Sequence, residues 1–197
     1  DLFLMHKQSE AMWRPIKFKR SELMRTLGNP AVADISPLYL GLAPFKNIET
    51  RVKRTLMVYG FDPDSSSFRI EAVNSKQEQL KLKDTVLFDE YSRPEFGPIG
   101  PLIAANRGLT EINDYKVSII GLFRMGVSFA ADGNVITSDL NFMRIFPKRK
   151  LDNIDVGIIK LTPGSSQTSV KGELEKLLDE SINILTYQEL LQFEKNY

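Results

Sequence analysis

Apolar positions change period several times along this chain, and each change marks an element. Leu2-Phe3-Leu4-Met5 is a short apolar run that predicts a first strand from Leu2 to Lys7. Ser21 to Leu27 takes helical spacing, with Leu23, Met24 and Leu27 expected on one face and Gly28-Asn29-Pro30 as the stop. Ile35 to Phe45 reads as extended, with Pro37 and Pro44 confining it to a sheet edge or bending it. Val52 to Phe61, centred on Leu56-Met57-Val58-Tyr59, is a stronger strand closed by the turn-forming Asp62-Pro63-Asp64.

The middle is less regular. A helix fits Glu71 to Leu80 and a short strand fits Thr85 to Phe88, whereas Ser92 to Arg107 holds Pro94, Gly97, Pro98, Gly100 and Pro101 and reads largely as loop. Thr110-Glu111-Ile112, a turn at Asn113-Asp114 and Tyr115 to Arg124 predict a hairpin. Its second strand places Tyr115, Val117, Ile119 and Phe123 on one face and Ile120 and Leu122 on the other, as a strand covered on both sides would. Ala131-Asp132-Gly133-Asn134 is a turn, Val135-Ile136 a strand, and Ser138 the N-cap of a helix that runs from Asp139 to Phe146 before Pro147.

Regularity returns in the last quarter. Ile154 to Leu161 predicts a strand, and Thr168 to Leu178 an amphipathic helix with Val170, Leu174, Leu177 and Leu178 on its apolar side. Ile182 to Leu185 is a returning strand. Thr186-Tyr187-Gln188-Glu189 is a capping box for a last helix with Leu190, Leu191, Phe193 and Tyr197 facing inward. The chain therefore reads strand–helix–strand at both ends around a mixed middle. The expected fold class is α+β: two split βαβ units pairing into one layer, with the middle as an inserted mixed lobe.

Composition narrows the function. The chain has 197 residues, a net charge of +1 and 26% charged residues, so no overall field favours nucleic acid. The basic clusters Lys17-Lys19-Arg20, Arg51-Lys53-Arg54 and Lys148-Arg149-Lys150 are short and read as solvated surface. Cysteine is absent, which removes disulfides, thiol nucleophiles and thiolate metal sites. No run approaches the roughly twenty apolar residues a membrane helix needs. The chain starts at Asp1 directly in an apolar run and stops at Tyr197 inside a helical pattern, as a domain excised from a longer chain would.

Catalytic chemistry finds little support. His6 stands alone, without a partner at metal-ligand spacing, and no Gly-x-Ser-x-Gly elbow presents a serine. Gly97-Pro98-Ile99-Gly100 lacks the Lys-Ser/Thr of a phosphate loop. Asp62, Asp64, Asp132, Asp139, Asp152 and Asp155 sit at turns, a helix start and a strand start, where local hydrogen bonding explains them. No cofactor is implied. Trp13, Phe96 and Phe129 fall in predicted loops beside Pro15, Pro94 and Ala130, and are the candidate partner-binding residues.

Longer stretches resemble a known family. Lys53-Arg54-Thr55-Leu56-Met57-Val58-Tyr59-Gly60-Phe61-Asp62-Pro63, Asp84 to Asp89, Ser92 to Pro98, Val117 to Phe123, Ala131 to Asn134, Thr137 to Phe142, Asp155-Val156-Gly157 and Phe193 to Tyr197 look like the DevC-type permeases of cyanobacteria. These in turn are similar to MacB-type ABC exporters. The resemblance implies a periplasmic domain between the first two of four transmembrane helices, with membrane segments before Asp1 and after Tyr197. It implies a discontinuous porter-like lobe at 1–75 plus 154–197 and an inserted Sabre-like lobe at 76–153, with the splits near Asp62–Lys83 and near Asn153.

Further implied are a membrane-fusion adaptor docked on this domain, a separate ATPase subunit, a TolC-like outer-membrane channel and a second permease copy. Such a domain does no bond chemistry and transmits motion. A competing reading is a module that holds a lipid or apolar ligand between its lobes. A carboxylate hydrolase is the third.

Overall fold

The opening apolar run forms β1 (Leu2–His6), with Leu2 and Leu4 fully buried. A two-residue strand β2 (Phe18–Lys19) precedes α1 (Arg20–Arg25), which tightens into a 3-10 turn at Thr26–Gly28. Of the apolar face expected here only Leu23 is buried; Met24 and Leu27 are exposed. The inward position one turn on is Thr26, whose hydroxyl donates to the Leu23 carbonyl at 2.7 Å. The computed structural model describes residues 1–65, 70–126 and 131–195.

β3 (Val32–Lys46) is followed by β4 (Lys53–Phe61), and the turn after it is held by Asp62 Oδ1, which accepts from Asp64 N at 3.0 Å. Where one helix was expected there are two, α2 (Glu71–Asn74) and α3 (Gln77–Leu80). The Ser75 hydroxyl at the break donates to Ala72 O, a local bond that competes with helix continuation. β5 (Thr85–Asp89) is buried at every position.

The segment read as loop contains a 3-10 turn at Pro94–Phe96 and a helix, α4 (Ile99–Ala104). Pro101 is no obstacle, because it occupies the first helical turn, where the N–H has no intrahelical partner. β6 (Leu109–Ile112) and β7 (Tyr115–Phe123) form the expected hairpin, with Asn113 and Asp114 at φ 53° and 62° as a type I′ turn requires. β8 (Asn134–Ser138) leads into α5 (Asp139–Ile145), capped by Ser138 Oγ, which accepts from Asn141 N.

β9 (Asn153–Ile154), β10 (Val156–Leu161), α6 (Gln167–Leu177), β11 (Ile182–Thr186) and α7 (Tyr187–Lys195) complete the chain. α6 buries Val170 and Leu174 but leaves Leu177 partly exposed. The capping box forms: Glu189 N donates to Thr186 Oγ1 at 3.3 Å, and Thr186 N donates to Glu189 Oε2 at 2.7 Å. α7 buries only Leu190, and Leu191 is exposed. Tyr197 lies outside the described residues.

These elements divide into two units. The first comprises Asp1–Leu38, Ser65–Phe68 and Lys150–Tyr197. Its strand order is β11-β1-β10-β3, with β1 antiparallel to both β10 and β11 and β10 antiparallel to the first half of β3. β10–α6–β11 and β1–α1–β3 are thus two split βαβ units, each holding a strand of the other between its own pair. This is the α+β layer expected from the two chain ends.

The second unit comprises Tyr39–Asp64 and Arg69–Arg149. The second half of β3, then β4, β8, β5, β7 and β6 follow around it, and β6 closes back on β3 at Phe45↔Ile112 and Lys46↔Glu111. Two of the pairings, β4–β8 and β5–β7, are parallel. Among the described residues the strands thus close into a mixed barrel, each paired on both sides. Its core holds Tyr39, Phe45, Phe61, Phe96, Phe123 and Phe142, all fully buried.

Two expectations differ from this arrangement. β3 is not an edge strand: it trades β10 for β6 along its length, while Pro44, lacking an N–H, still accepts from Asn113 N at its carbonyl. The units part within β3 and near Lys150, so β4 falls in the inserted unit and not in the outer one. No turn or shift in composition marks a partner exchange inside a continuous strand.

Candidate docking surface

The three loop aromatics have different fates. Trp13 is half-buried in the first unit, with the Arg14 guanidinium 5.1 Å from its ring centroid. Its loop is tied down by Met12 N, which donates to Glu194 Oε1 at 2.6 Å. Phe129 lies outside the described residues. Phe96 is not an exposed aromatic: it is 1% accessible and packs edge-on against Phe45 and Phe88, with ring centroids 5.4 and 5.6 Å away. A loop rich in proline and glycine does not have to be loosely packed; this one is pinned through its phenylalanine.

Pinning Phe96 brings the loop after β5 against the residues that lead into β8. Arg93 N donates to Asp132 O at 2.9 Å, and Ser92 Oγ accepts from Asn134 N at 3.3 Å. Gly133 is required here, since a Cβ on it would lie 2.8 Å from the Phe96 ring and 2.6 Å from Ser92 Oγ.

Asp89, at the end of β5, fastens the assembly. Its carboxylate is fully buried and takes four hydrogen bonds. Oδ1 accepts from Tyr91 N at 3.1 Å and Met125 N at 3.0 Å; Oδ2 accepts from Gly126 N at 2.7 Å and Asn134 Nδ2 at 2.8 Å. Bonds to an ionised acceptor are the stronger kind, about 1.5–3 kcal/mol each. One side chain thereby holds the loop after β5, Met125 and Gly126 after β7, and the start of β8. Asn134 Nδ2 also donates to Gly126 O at 2.6 Å, while among the described residues its buried Oδ1 meets no hydrogen-bond donor.

The outer surface of these loops carries Tyr91 at 57% and Met125 at 40% exposure. Arg124 bonds Glu90 at 2.7 Å and lies 5.8 Å from the Tyr91 ring centroid. The Glu90 carboxylate, by hydrogen bond and by charge, raises the Arg124 guanidinium above its ordinary value. Asp132 is bracketed by Arg54 at 2.8 Å and Arg93 at 2.9 Å, and Arg54 also reaches Glu95 at 3.5 Å. A depression of about 590 Å³ with Ile70, Ala72 and Arg124 in its wall and one of about 300 Å³ with Pro94, Pro98 and Ile99 share Glu90 and Leu122.

The residues considered for catalysis lie elsewhere or are engaged. His6 Nδ1 accepts from Gln8 N at 3.2 Å, and Asp62 holds its own turn. Among the described residues no group of three or more His, Asp or Glu is placed to hold a metal. Sequence reasoning missed Asp89, Tyr91 and Asn134; the one signal was an aspartate ending an otherwise apolar run.

No protein-family model and no curated protein matches the chain. Solved structures do. The periplasmic region of MacB from Actinobacillus actinomycetemcomitans is similar at TM-score 0.65 and 13% identity, over 100% of this chain and 92% of that one. The extracellular domain of the noncanonic ABC-type transporter YknZ from Gram-positive bacteria is similar at TM-score 0.61 and 12% identity, over 94% of this chain and 98% of that one. The fold is thus shared across nearly the whole length of both domains. Among the described residues no helix is long and apolar enough to cross a membrane.

Proposed function

We propose that this chain is the extracytoplasmic domain of an ABC exporter permease, of MacB type and more narrowly DevC type. In this reading it docks a membrane-fusion adaptor and transmits ATP-driven motion, moving substrate toward a TolC-like outer-membrane channel. The first unit is the porter-like lobe and the barrel the Sabre-like lobe. A separate subunit hydrolyses ATP, a second permease copy faces this one, and the domain itself catalyses nothing. The loops around Asp89 are the adaptor contact, with Trp13 and Phe129 as further contacts and Phe96 acting through the loop it pins.

The observation that carries this reading is the likeness of fold, over the full chain, to the MacB periplasmic region. The geometry of the first unit supports it. Leu2 pairs with Thr186, so the start of β1 and the start of α7 lie side by side, as two connections toward one membrane require.

The intact permease tests it. Its gene is expected to encode apolar spans of about twenty residues on both sides of this domain. Solubilised permease is expected to co-purify with the adaptor encoded beside it, and replacing residues 1–197 by a flexible linker to abolish that complex. A linker variant that keeps the adaptor at undiminished affinity refutes the proposal.

A further inference from the structure

We infer that the surface made by Tyr91, Arg124 and Met125 docks an uncharged, apolar or aromatic patch of its protein partner, and that net electrostatic attraction takes no part. This rests on the exporter reading, in which that partner is the adaptor.

Charge balance is the first argument. Each guanidinium on this surface is already met by a carboxylate of the same unit: Arg124 by Glu90, Arg93 by Asp132, and Arg54 by Asp132 and Glu95. An anionic partner such as a phosphate-rich lipid surface would have to break these pairs and would meet Glu90 and Glu95 in doing so. What the surface offers without rearrangement is the Tyr91 ring, the Met125 thioether and the flat face of a guanidinium held near that ring. These are the side chains enriched where protein interfaces bind most tightly.

Preorganisation is the second argument. Exposed loops usually lose conformational freedom on binding, and that loss is subtracted from affinity. Here the backbone N–H groups of Tyr91, Met125 and Gly126 are already fixed by the buried Asp89 carboxylate. Asp89 is a positioning residue: it reaches no partner itself and aims the two side chains that do.

The test uses the intact permease and its adaptor, in a binding titration at low ionic strength and at tenfold higher ionic strength. Wild-type affinity is expected to change by less than about twofold with salt, since a surface whose charges balance exerts little net attraction on a partner for salt to screen. Tyr91→Ala and Met125→Ala, both exposed and without a role in the core, are expected to weaken binding about tenfold each at unchanged melting temperature. Asp89→Asn presents an amide to N–H donors and is expected to weaken binding beyond either. Adaptor binding that ignores Tyr91→Ala and Met125→Ala overturns the assignment of this surface and leaves the exporter reading intact. A steep salt dependence, or capture of vesicles of phosphatidylglycerol and phosphatidylethanolamine by wild type and not by Tyr91→Ala, overturns the charge argument. A wild-type permease that does not bind the adaptor at all overturns both this inference and the reading beneath it.

Discussion

Phe96→Ala separates an anchor from a contact. Phe96 is 1% accessible and lies between Phe45 and Phe88, with Gly133 against its ring. Truncation removes a whole phenyl ring from a site that cannot easily collapse, because the neighbouring rings belong to strands of a closed barrel. Losses of this kind run to about 3–5 kcal/mol, against a total stability of roughly 5–15 kcal/mol for a domain. At about 2–4 °C per kcal/mol for a chain of this size, the melting temperature should fall by roughly 6–20 °C.

Circular dichroism melts, together with urea titration of wild type, Phe96→Ala and Phe96→Leu, measure it. The leucine variant is expected to lie between the other two. Any loss of adaptor binding by Phe96→Ala should follow the loss of fold and be rescued in part by leucine. A Phe96→Ala protein that melts within 2 °C of wild type yet loses its partner would falsify the burial argument and restore Phe96 as a contact residue.

Gly60→Ala should destabilise by about 1–3 kcal/mol, because its new Cβ would lie 2.5 Å from the Phe142 Cβ on α5; a variant at least as stable as wild type in urea would show that α5 can slide on β4. Acid should unfold the protein progressively as pH falls below the ordinary carboxylate range of about 4–4.5. Glu189, Glu111 and Asp114 are held below their usual values, chiefly by hydrogen bonds to Lys171, Lys46 and Lys53 respectively. A depressed carboxyl stabilises the fold above its unfolded value and loses that contribution as it protonates. Lys171→Met should therefore flatten the acid limb of a stability–pH curve, and an unchanged limb counts against the Lys171–Glu189 contribution.

Much of the local structure of both units was legible in the chain because its signals span few residues. The Thr186–Glu189 capping box, the Ser138 N-cap and the Asn113-Asp114 turn each depend on residues within four positions, and all three formed. Split βαβ pairing could be expected from two amphipathic helices, each between two apolar strands. The exchange of partners along β3 could not. Its two halves have the same extended, apolar character, and only distant strands decide which one pairs where. α4 was hidden for a different reason: proline and glycine were read as loop formers, although proline in a first turn costs a helix nothing.

The candidate surface was less legible, and the case of Phe96 shows why. An aromatic in a proline-rich loop fits two opposite roles, contact and anchor, with identical local sequence. Which role it takes depends on whether its ring finds buried partners, here Phe45 and Phe88, which lie 51 and 8 positions away in the chain. Asp89 is harder still, since an aspartate after four buried positions looks like the place where a strand emerges into water. The convergence of N–H groups from Tyr91, Met125 and Gly126 with the Asn134 amide makes its burial tolerable. The same convergence fixes the backbone at Tyr91 and Met125. The feature that hid the site from sequence reading is therefore the one that gives it a definite shape.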